Sequence, residues 1–427
     1  MRYILLLLVL FSCTPTRKWT RQLENMPALK NAQVGMCVWD ADSGRERCAY
    51  RAEKRFTPAS TAKILTLLAC LHALHDSLPR LAYEVVQQQP KNAILVAGTG
   101  DPTTLHPHFE AWQPQLNFPQ LLPGAERHLM ALPGANQLVP YGPGWSWDDF
   151  GAYYSTEITA LPVYGNAARL TYANQHWQIY PETLDTLLRS DSGITEPQRQ
   201  ALGPYIRIPE HPSGAEYNKT IALFGMAQTG PVLFEQAQSG AGVFLNKTDS
   251  VYTMGGLHHF WYACPTDTVL RRMMHQSDNF LAEQLLLVCA VERYGAFFPQ
   301  QVRTWVTDTL LRTPEPPRWV DGSGLSRYNL VSPRDLCAAL HHLWQTQDHE
   351  RLLNLFPEGG REGTLQGWFG EVPVWAKSGS MGGVFCLSGY IKDKKGRIQI
   401  FSIMVNGFTD GQKPVKNAVS IVLNGLY

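Results

Sequence analysis

Alternating hydrophobic and polar residues near both ends of the chain predict β-strands with one buried face. Two strands are predicted at residues 33–39 and 45–50, around a turn rich in Asp and Gly. A second pair is predicted at residues 384–392 and 399–405, and the polar segment 393–396 between them is typical of a hairpin turn. Strands are therefore expected at the beginning and at the end of the folded chain.

Apolar residues at helical spacing predict helices between these two pairs of strands. One helix is predicted to begin near Ser60 and to end near residues 76–79. The other predicted helices lie at residues 266–276, 279–291, 333–345 and 414–423. Strands, then helices, then antiparallel strands indicate an α/β (α+β) layered domain.

Residues 81–260 have a different pattern, because their short alternating runs are interrupted by many Gly and Pro residues. This pattern predicts a β-rich insert without long helices. The flanking parts, residues 21–80 and 261–427, would have to close around the insert as one domain. Residues 1–20 would precede that domain as a leader and tether.

Composition and charge exclude some classes of protein. Of the 427 residues, 44% are hydrophobic and 17% are charged, which is typical of a folded globular protein. The formal net charge is only +1, so there is no electrostatic case for nucleic-acid binding.

The N-terminus has the features of an export signal. Arg2 precedes an apolar run from Tyr3 to Phe11, which is too short to span a bilayer but suits the hydrophobic part of a signal peptide. The next residues resemble a bacterial lipobox in which Cys13 is lipidated. The alternative is an ordinary cleaved signal with a stray cysteine. Either interpretation places the protein outside the cytoplasm.

Beyond the lipobox the number of cysteines is odd, which does not indicate a disulfide framework. Cys70, Cys289 and Cys337 lie in apolar helical patterns and are predicted to be buried free thiols. Cys37 and Cys48 lie symmetrically about the first turn. For this pair we hypothesise a disulfide across the predicted hairpin.

Ser60 and Lys63 form the first candidate for catalysis. If a helix begins near Ser60, Lys63 lies one turn further on the same face. A serine hydroxyl becomes a good nucleophile only when a neighbouring base takes its proton. Lysine can be that base when burial or a nearby cation lowers its pKa.

Two later motifs supply the remaining chemistry. Ser277 offers a hydroxyl that can pass a proton, and Asn279 offers an amide that can both donate and accept. Lys377 offers a positive charge, Ser378 a hydroxyl beside it, and Gly379 a backbone that a substrate can approach closely.

Other candidate motifs are weaker. The histidines that could suggest a metal site are His72, His75, His258, His259, His341 and His342. They have no carboxylate or cysteine at metal-ligand spacing, so no metal is expected. No Gly-x-Ser-x-Gly motif occurs, which disfavours an α/β-hydrolase.

Ser-x-x-Lys, Ser-x-Asn and Lys-Ser-Gly, in this order, form the pattern of penicillin-binding proteins and class A β-lactamases. The long interval between Ser60 and Ser277 leaves room for a large insert. The chain resembles the D-alanyl-D-alanine carboxypeptidase/endopeptidase family of penicillin-binding protein 4 type. Further matching stretches are residues 58–63, 98–102, 282–286, 321–327 and 363–365.

The resemblance implies a serine β-lactamase/transpeptidase-like catalytic domain, formed by residues 21–80 and 261–427 and split by an insert of one or two β-rich domains. It implies that the substrates are the stem peptides of peptidoglycan, that β-lactam antibiotics are inhibitors, and that no cofactor is needed. The signal segment and the lipobox predict a periplasmic protein that is attached to a bacterial membrane, with the outer membrane as the expected one, only through its lipid anchor.

The resemblance also implies individual roles. Ser60 would attack the carbonyl between two D-alanines, and Lys63 would take its proton. Ser277 would relay a proton to the leaving amine, and Asn279 would hold an amide on the acyl side. The terminal carboxylate would be bound by the Lys377 amine and by the hydroxyls of Ser378, where threonine is usual, and Ser380.

A further hypothesis concerns the third residue of the stem peptide. Trp145, Asp148, Arg327 and Met381 would shape a pocket for the free end of a diaminopimelate side chain, and Asp148 would pair with its ammonium group. In the alternative interpretation the tryptophan belongs to a packing cluster and Asp148 is a turn residue.

Three other functions stay open from the sequence alone. A β-lactamase of the same fold would need a base for fast deacylation, and no such loop is found after Ser277. An esterase could use the same Ser-x-x-Lys motif. A catalytically silent lipoprotein that binds peptidoglycan would have no use for the complete set of catalytic residues.

Overall fold

The computed structural model describes residues 15–86, 93–113, 127–130, 138–200, 203–210, 212, 214, 216–238, 245–247 and 259–427. Cys13 and His258 lie outside the described residues. Within the described part of the chain, no helix has the length and apolar character needed to cross a membrane.

Helices and strands alternate in groups along the chain. The α-helices of the described residues are α1 (Pro15–Asn25), α2 (Lys63–Ala73), α3 (Met226–Gln238), α4 (Thr266–His275), α5 (Asn279–Tyr294), α6 (Pro299–Trp305), α7 (Pro333–Thr346), α8 (His349–Asn354) and α9 (Gln412–Asn424). The strands are β1 (Gln33–Asp40), β2 (Glu46–Tyr50), β3 (Ser77–Val86), β4 (Ala93–Gly98), β5 (Arg127–Met130), β6 (Ala167–Ala173), β7 (His176–Tyr180), β8 (Leu188–Asp191), β9 (Gln198–Arg199), β10 (Ile206–Pro209), β11 (Tyr217–Ala222), β12 (Leu245–Lys247), β13 (His259–Pro265), β14 (Val374–Met381), β15 (Val384–Lys392) and β16 (Ile398–Asn406).

A five-stranded antiparallel sheet in the order β14-β15-β16-β1-β2 joins the two ends of the chain. Residues of α2, α4, α5 and α7 pack with one face of this sheet, and residues of α1 and α9 pack with the other face. The alternation along β1 decides which side chains enter each layer: Cys37 belongs to the first core, and Met36 and Val38 belong to the second. The predicted α/β layers and both predicted hairpins are confirmed.

Residues between α2 and α4 form a second five-stranded sheet, in the order β12-β5-β4-β3-β13, and two three-stranded sheets, in the orders β8-β10-β9 and β11-β6-β7. Strands β3 and β13, at the two ends of this region, pair with each other. Strand β3 begins at Ser77 and β13 ends at Pro265, so the inserted region extends a few residues beyond the predicted limits at residues 81 and 260. The pairing therefore closes the inserted region at its base.

The sequence interpretation was wrong about the end of the helix that follows Ser60. Helix α2 ends at Ala73, and Leu74 is already extended, with φ −103° and ψ 152°. Ser77 and the residues after it begin β3 rather than ending a helix, because β3 is held between β4 and β13. Long-range strand pairing outweighs the local helical pattern at this position.

The insert contains the 13-residue helix α3 in spite of Gly230 and Pro231 within it, so the prediction of an insert without long helices was wrong. The backbone N–H groups of Gly225 and Met226 at its start donate to the Glu157 carboxylate at 3.0 and 2.8 Å. A carboxylate at a helix N-terminus satisfies donors that have no partner inside the helix. This partner is almost seventy residues away, so the local sequence gives no sign of it.

The expected tether is also too long, because α1 crosses the limit set at residue 20. Trp19 and Leu23 of α1 are buried in the core beside α9. The part of α1 from Trp19 onward therefore packs as part of the domain.

The hypothesised disulfide between Cys37 and Cys48 is contradicted, since no bond joins these two cysteines. In the hairpin register Cys37 lies opposite Ala49, and Cys48 lies opposite Val38. This offset of one residue places the two thiols on opposite faces of the sheet. Cys37 lies in the core beside α2, and Cys48 lies in the core beside α9.

Candidate active site

Ser60 lies on a 3₁₀ turn, Ala59–Ala62, that leads directly into α2. Ala59 has φ of +46°, an uncommon conformation for a residue other than glycine. Strand β14 passes close to this turn. A Cβ atom on Gly379 would lie 2.7 Å from the Pro58 carbonyl oxygen and 2.8 Å from the Ser60 backbone nitrogen. Only glycine fits there, so β14 and the serine turn are held in direct contact.

The Lys63 amine occupies the centre of the site. Its Nζ atom lies 3.1 Å from Ser60 Oγ, 2.6 Å from Asn279 Oδ1 and 2.7 Å from the Ser323 carbonyl oxygen. Lys63 is fully buried. The structure therefore brings the predicted base to hydrogen-bond distance of the predicted nucleophile.

Burial lowers the pKa of Lys63 to about 8, although the negative charges of Glu283, Asp321 and Asp278 act in the opposite direction. Burial also lowers the pKa of Lys377, and the charge of Lys63 lowers it further. Two buried amines that interact in this way do not readily hold a proton each. Burial and the charge of Lys63 therefore both oppose the positive charge that the sequence predicts on Lys377.

Ser277 and Asn279 stand at the junction of α4 and α5. The Asp278 side chain accepts from the Leu281 backbone N–H and caps α5. Ser277 has φ of +58°, an uncommon conformation for a residue other than glycine. Asn279 Nδ2 donates to the Tyr154 carbonyl oxygen at 3.0 Å, so a residue of the insert fixes the orientation of this amide.

Lys377, Ser378, Gly379 and Ser380 are consecutive residues of β14. The Lys377 amine is buried and donates to the Ser378 carbonyl oxygen at 2.7 Å. The Ser378 hydroxyl donates to Thr364 Oγ1 at 2.9 Å, whereas Ser380 is exposed and lines the cleft.

An open cleft of about 520 Å³ lies over Ser60, Ser277, Asn279 and Ser380, and its size is suited to a small ligand. The residues that line it are Ala59, Ser60, Ser146, Asp148, Asp149, Tyr153, Tyr154, Gln276, Ser277, Asn279, Gly324, Leu325, Arg327, Ser380, Met381 and Gly382. The insert and both flanking parts of the chain contribute to it. The cleft is therefore formed only when residues from three separate segments meet.

The four residues of the hypothesised side-chain pocket do not all lie in this cleft. Asp148, Arg327 and Met381 line it. Trp145 is not among the lining residues, and its indole N–H donates to Asp321 Oδ2 at 2.9 Å. For Trp145 the packing interpretation is therefore the better description, since it attaches the insert to the flanking domain.

Three further residues, Glu283, Asp321 and Ser323, belong to the site although no sequence motif predicted a role for them. The buried Glu283 carboxylate accepts from the backbone N–H groups of Gly322 and Ser323 at 3.0 and 2.7 Å. It thereby positions the Ser323 carbonyl that accepts from Lys63. Burial raises the pKa of Glu283 to about 7, and the charge of Asp321 adds to this effect. The sequence signal that could have indicated this role is the acidic Glu283 within the otherwise apolar run of α5.

None of the described residues forms a group of three or more His, Cys, Asp or Glu side chains suited to a metal ion. His72 instead packs edge-on against His342, with 4.9 Å between ring centroids. His75 packs against Tyr262. His72 is therefore part of side-chain packing, whereas the side chain of His75 is mostly exposed.

The sequence model of the D-Ala-D-Ala carboxypeptidase 3 (S13) family matches residues 17–178 and 262–423, on both sides of the latter part of the insert. The D-alanyl-D-alanine carboxypeptidase DacB of Haemophilus influenzae is 32% identical over 158 residues, which are 34% of this chain and 33% of that protein. The D-alanyl-D-alanine carboxypeptidase of an Actinomadura species is 26% identical over 461 residues, covering 93% of this chain and 82% of that protein.

Two solved structures show the same fold. The crystal structure of penicillin binding protein 4 from Haemophilus influenzae matches with a TM-score of 0.74 and 19% identity, over 97% of this chain and 99% of that one. The Bd0816 predatory endopeptidase of Bdellovibrio bacteriovorus matches with a TM-score of 0.51 and 15% identity, over 92% and 94% of the two chains. Together with the sequence match over most of its length, these findings show that the chain belongs to the D-Ala-D-Ala carboxypeptidase 3 (S13) family.

Proposed function

We propose that this protein is a serine D-Ala-D-Ala carboxypeptidase and endopeptidase that cleaves the stem peptides of peptidoglycan through an acyl-enzyme. The observation that carries the proposal is the 3.1 Å contact between Lys63 Nζ and Ser60 Oγ in a buried site next to Lys377. This geometry supplies a nucleophile and a base whose pKa, about 8, is close to neutral pH.

Acylation begins when neutral Lys63 takes the hydroxyl proton of Ser60, whose oxygen attacks the carbonyl between two D-alanines. The backbone N–H groups of Ser60 and Ser380 act as the oxyanion hole, and in other enzymes each such donor contributes roughly 10²–10³ in rate. Ser277 relays the proton to the leaving amine. Water then attacks the acyl-enzyme and releases the shortened peptide.

Substrate binding uses the other strand and helix residues of the site. Lys377, with the Ser380 hydroxyl, binds the terminal carboxylate, and Asn279 binds an amide on the acyl side with the donor that Tyr154 does not use. A carboxylate brought beside Lys377 favours its protonated form, so substrate binding restores the charge that burial opposes. Ser378 contributes by keeping β14 in place through Thr364.

Acylation by β-lactams belongs to the same proposal. It is supported by the solved structures of penicillin binding protein 4 with a β-lactam and of the Bdellovibrio endopeptidase Bd3459 acylated by penicillin G. A β-lactam has the carbonyl and the carboxylate that Ser60 and Lys377 would engage. A silent binding protein would not need these residues, and the intact Ser60–Lys63 contact therefore favours the enzyme.

The proposed location is the periplasm, with a lipid on Cys13 that anchors the protein to the outer membrane. Replacing Cys13 by alanine is expected to abolish incorporation of labelled palmitate into the protein, because the thiol that would carry the lipid is removed. Absence of palmitate from the unaltered protein would contradict the anchor.

A preference for a free diamino side chain is proposed for Asp148, with Arg327 and Met381 beside it in the cleft. Peptides with a free side-chain ammonium should turn over at least about tenfold faster than acetylated ones, because a charge-assisted hydrogen bond contributes about 1.5–3 kcal/mol. Asp148→Asn should remove most of this difference. Equal rates for the two peptides in the unaltered enzyme would contradict this role.

The central test is covalent labelling by a fluorescent penicillin. Ser60→Ala should abolish labelling while the protein stays folded, and Ser420→Ala, on the distant helix α9, should label normally. Labelling that persists in Ser60→Ala would remove Ser60 from its role. Mass spectrometry of muropeptides incubated with the enzyme should show both loss of one alanine and cleavage of cross-linked dimers.

A further inference from the structure

Two cysteines on neighbouring helices are in direct contact in the core. Cys70 of α2 and Cys289 of α5 have their Sγ atoms 3.7 Å apart, and both residues are fully buried. They are 219 positions apart in the sequence. Neither thiol has a part in the proposed reaction.

The helices that carry this pair also carry the active site. Lys63 is the first residue of α2, Asn279 is the first residue of α5, and their side chains are hydrogen bonded at 2.6 Å. Cys70 and Cys289 follow at about two and three helical turns beyond these residues. A bond between the two sulfurs would therefore join the helices that hold the base and its amide partner.

We propose that Cys70 and Cys289 form a disulfide when the protein folds in an oxidising compartment. A disulfide has an S–S distance of about 2.05 Å, so the sulfurs must approach by about 1.7 Å. Rotation of the two side chains and small shifts of the helices supply a movement of this size. The free thiols of the structure correspond to the reduced form.

Other thiols of the chain are directed at oxygen atoms. Cys337 Sγ lies 3.5 Å from the Cys37 carbonyl oxygen, and Cys386 Sγ lies 3.6 Å from the Thr57 carbonyl oxygen. For Cys289 the closest hydrogen-bond partner is the sulfur of Cys70 itself. The thiols of Cys337 and Cys37 also interact, and it is the sulfur–sulfur contact of 3.7 Å that selects the pair Cys70–Cys289 for oxidation.

The reaction is a thiol–disulfide exchange. The thiolate of one cysteine attacks the disulfide of an oxidant of the dithiol–disulfide class, and the second cysteine then displaces the oxidant from the mixed disulfide. The protein loses two protons and two electrons, one S–S bond forms in it, and the oxidant leaves as a dithiol. Because both thiols are buried in the folded protein, the exchange takes place while α2 and α5 pack together, when the sulfurs are already close but still accessible to the oxidant.

The bond would join the two separate parts of the catalytic domain around the whole inserted region. Closing a loop of this length restricts the unfolded chain more than closing a short one. The inference rests on the export proposed above, because disulfides persist in oxidising compartments. It does not depend on the proposed enzymatic reaction.

The test uses the complete protein isolated from the cell envelope, or refolded with oxidised glutathione, without reductant. The protein is denatured, its free thiols are blocked with N-ethylmaleimide, and a non-reducing digest is analysed by mass spectrometry. The peptides that contain Cys70 and Cys289 should appear as one linked species that separates on reduction. The oxidised protein should have a Tm at least about 5 °C above that of the reduced protein.

Two variants complete the design. Cys264→Ala removes another buried thiol and should leave the linked species intact. Cys70→Ala should expose Cys289 to labelling after denaturation and should make the Tm insensitive to reductant. The comparison of oxidised with reduced unaltered protein needs no variant, so it holds even where a variant fails to fold.

Complete labelling of both Cys70 and Cys289 in denatured, never-reduced protein would overturn the proposal. A linked species that joins either cysteine to a different residue would also overturn it. Penicillin labelling of the same sample reports on Ser60 separately, so failure of the disulfide and failure of the proposed reaction are distinguishable.

Discussion

At the scale of single residues, the protonation of Lys63 is controlled by its burial. The side chain is excluded from water and surrounded by hydrogen-bond acceptors, and its pKa falls from the usual value of 10.5 to about 8. Glu283 limits this fall by its charge and also holds the backbone that accepts from Lys63. One buried carboxylate thus influences both the position and the basicity of the amine.

The rate of acylation should rise with pH and level off above about pH 8, because only the neutral amine of Lys63 can accept the Ser60 proton. Below that pH the second-order rate constant for a penicillin should fall about tenfold per pH unit. Stopped-flow or gel-based labelling between pH 6 and pH 10 measures this rate constant. A rate independent of pH from 6 to 9 would contradict this assignment.

Lys63→Arg provides the matching variant, because a guanidinium group stays protonated throughout this range. We expect its acylation to be lower by at least about 10³ at every pH. Lys416→Arg on α9 is the control and should behave like the unaltered protein.

Glu283→Ala should both destabilise the protein and reduce labelling. It leaves the buried N–H groups of Gly322 and Ser323 without their acceptor, at a cost of about 1–3 kcal/mol each. Glu53→Ala removes a carboxylate whose side chain is largely exposed, and it should change stability much less. Thermal unfolding of both variants tests the difference, and equal losses would contradict the role of Glu283.

At the scale of elements, the site depends on the contact of β14 with the turn that carries Ser60. The β14–β15 register places Gly379 opposite Cys386, at the point where the strand passes the serine turn. The absence of a side chain at Gly379 permits this approach, and it brings the Ser60 and Ser380 backbones to the same end of the cleft. Strand β14 and the turn that precedes α2 therefore form the catalytic site together.

Gly379→Ala should lower the acylation rate by at least about 10², because its methyl group would collide with the Pro58 carbonyl and the Ser60 backbone nitrogen. The backbone must shift to relieve contacts of 2.7–2.8 Å, and the proposed oxyanion hole shifts with it. Gly193→Ala, on an exposed turn of the insert, is the control. Penicillin labelling kinetics measure the effect, and an unchanged rate would show that the strand tolerates the side chain.

At the scale of the whole molecule, the insert is attached to the catalytic domain through specific hydrogen bonds. Gln284 of α5 accepts from the Thr159 backbone N–H at 3.0 Å and donates to the carbonyls of Thr159 and Gly100 at 2.8 and 2.9 Å. A few residues from Gln284 along α5, Asn279 is held by the Tyr154 carbonyl of the insert. The insert is therefore part of the support of the active site.

Gln284→Leu should loosen the insert, because it leaves one buried N–H and two buried carbonyl groups without partners. We expect faster hydrogen exchange at residues 98–104 and 155–162 and a several-fold lower acylation rate, with α9 unaffected. Gln345→Leu, at the edge of α7, is the control. Unchanged exchange in the insert would contradict this coupling.

The sequence by itself determined the local features. Ser60 and Lys63 are one helical turn apart, so their meeting follows from helix geometry. Strand β15 has the predicted limits, and α5 and α7 begin where predicted, because period-two alternation and capping by Asp278 and Ser332 act within a few residues.

Only the tertiary structure decided the features that depend on distant partners. Three features show this: the strand register that separates Cys37 from Cys48, the cap on α3 from Glu157, and the hydrogen bond from Lys63 to the Ser323 carbonyl. No local hydrophobic pattern predicts any of these contacts. The pKa of Lys63 belongs to the same group. It depends on exclusion of water, and that exclusion exists only after two distant parts of the chain and the insert have packed around one amine.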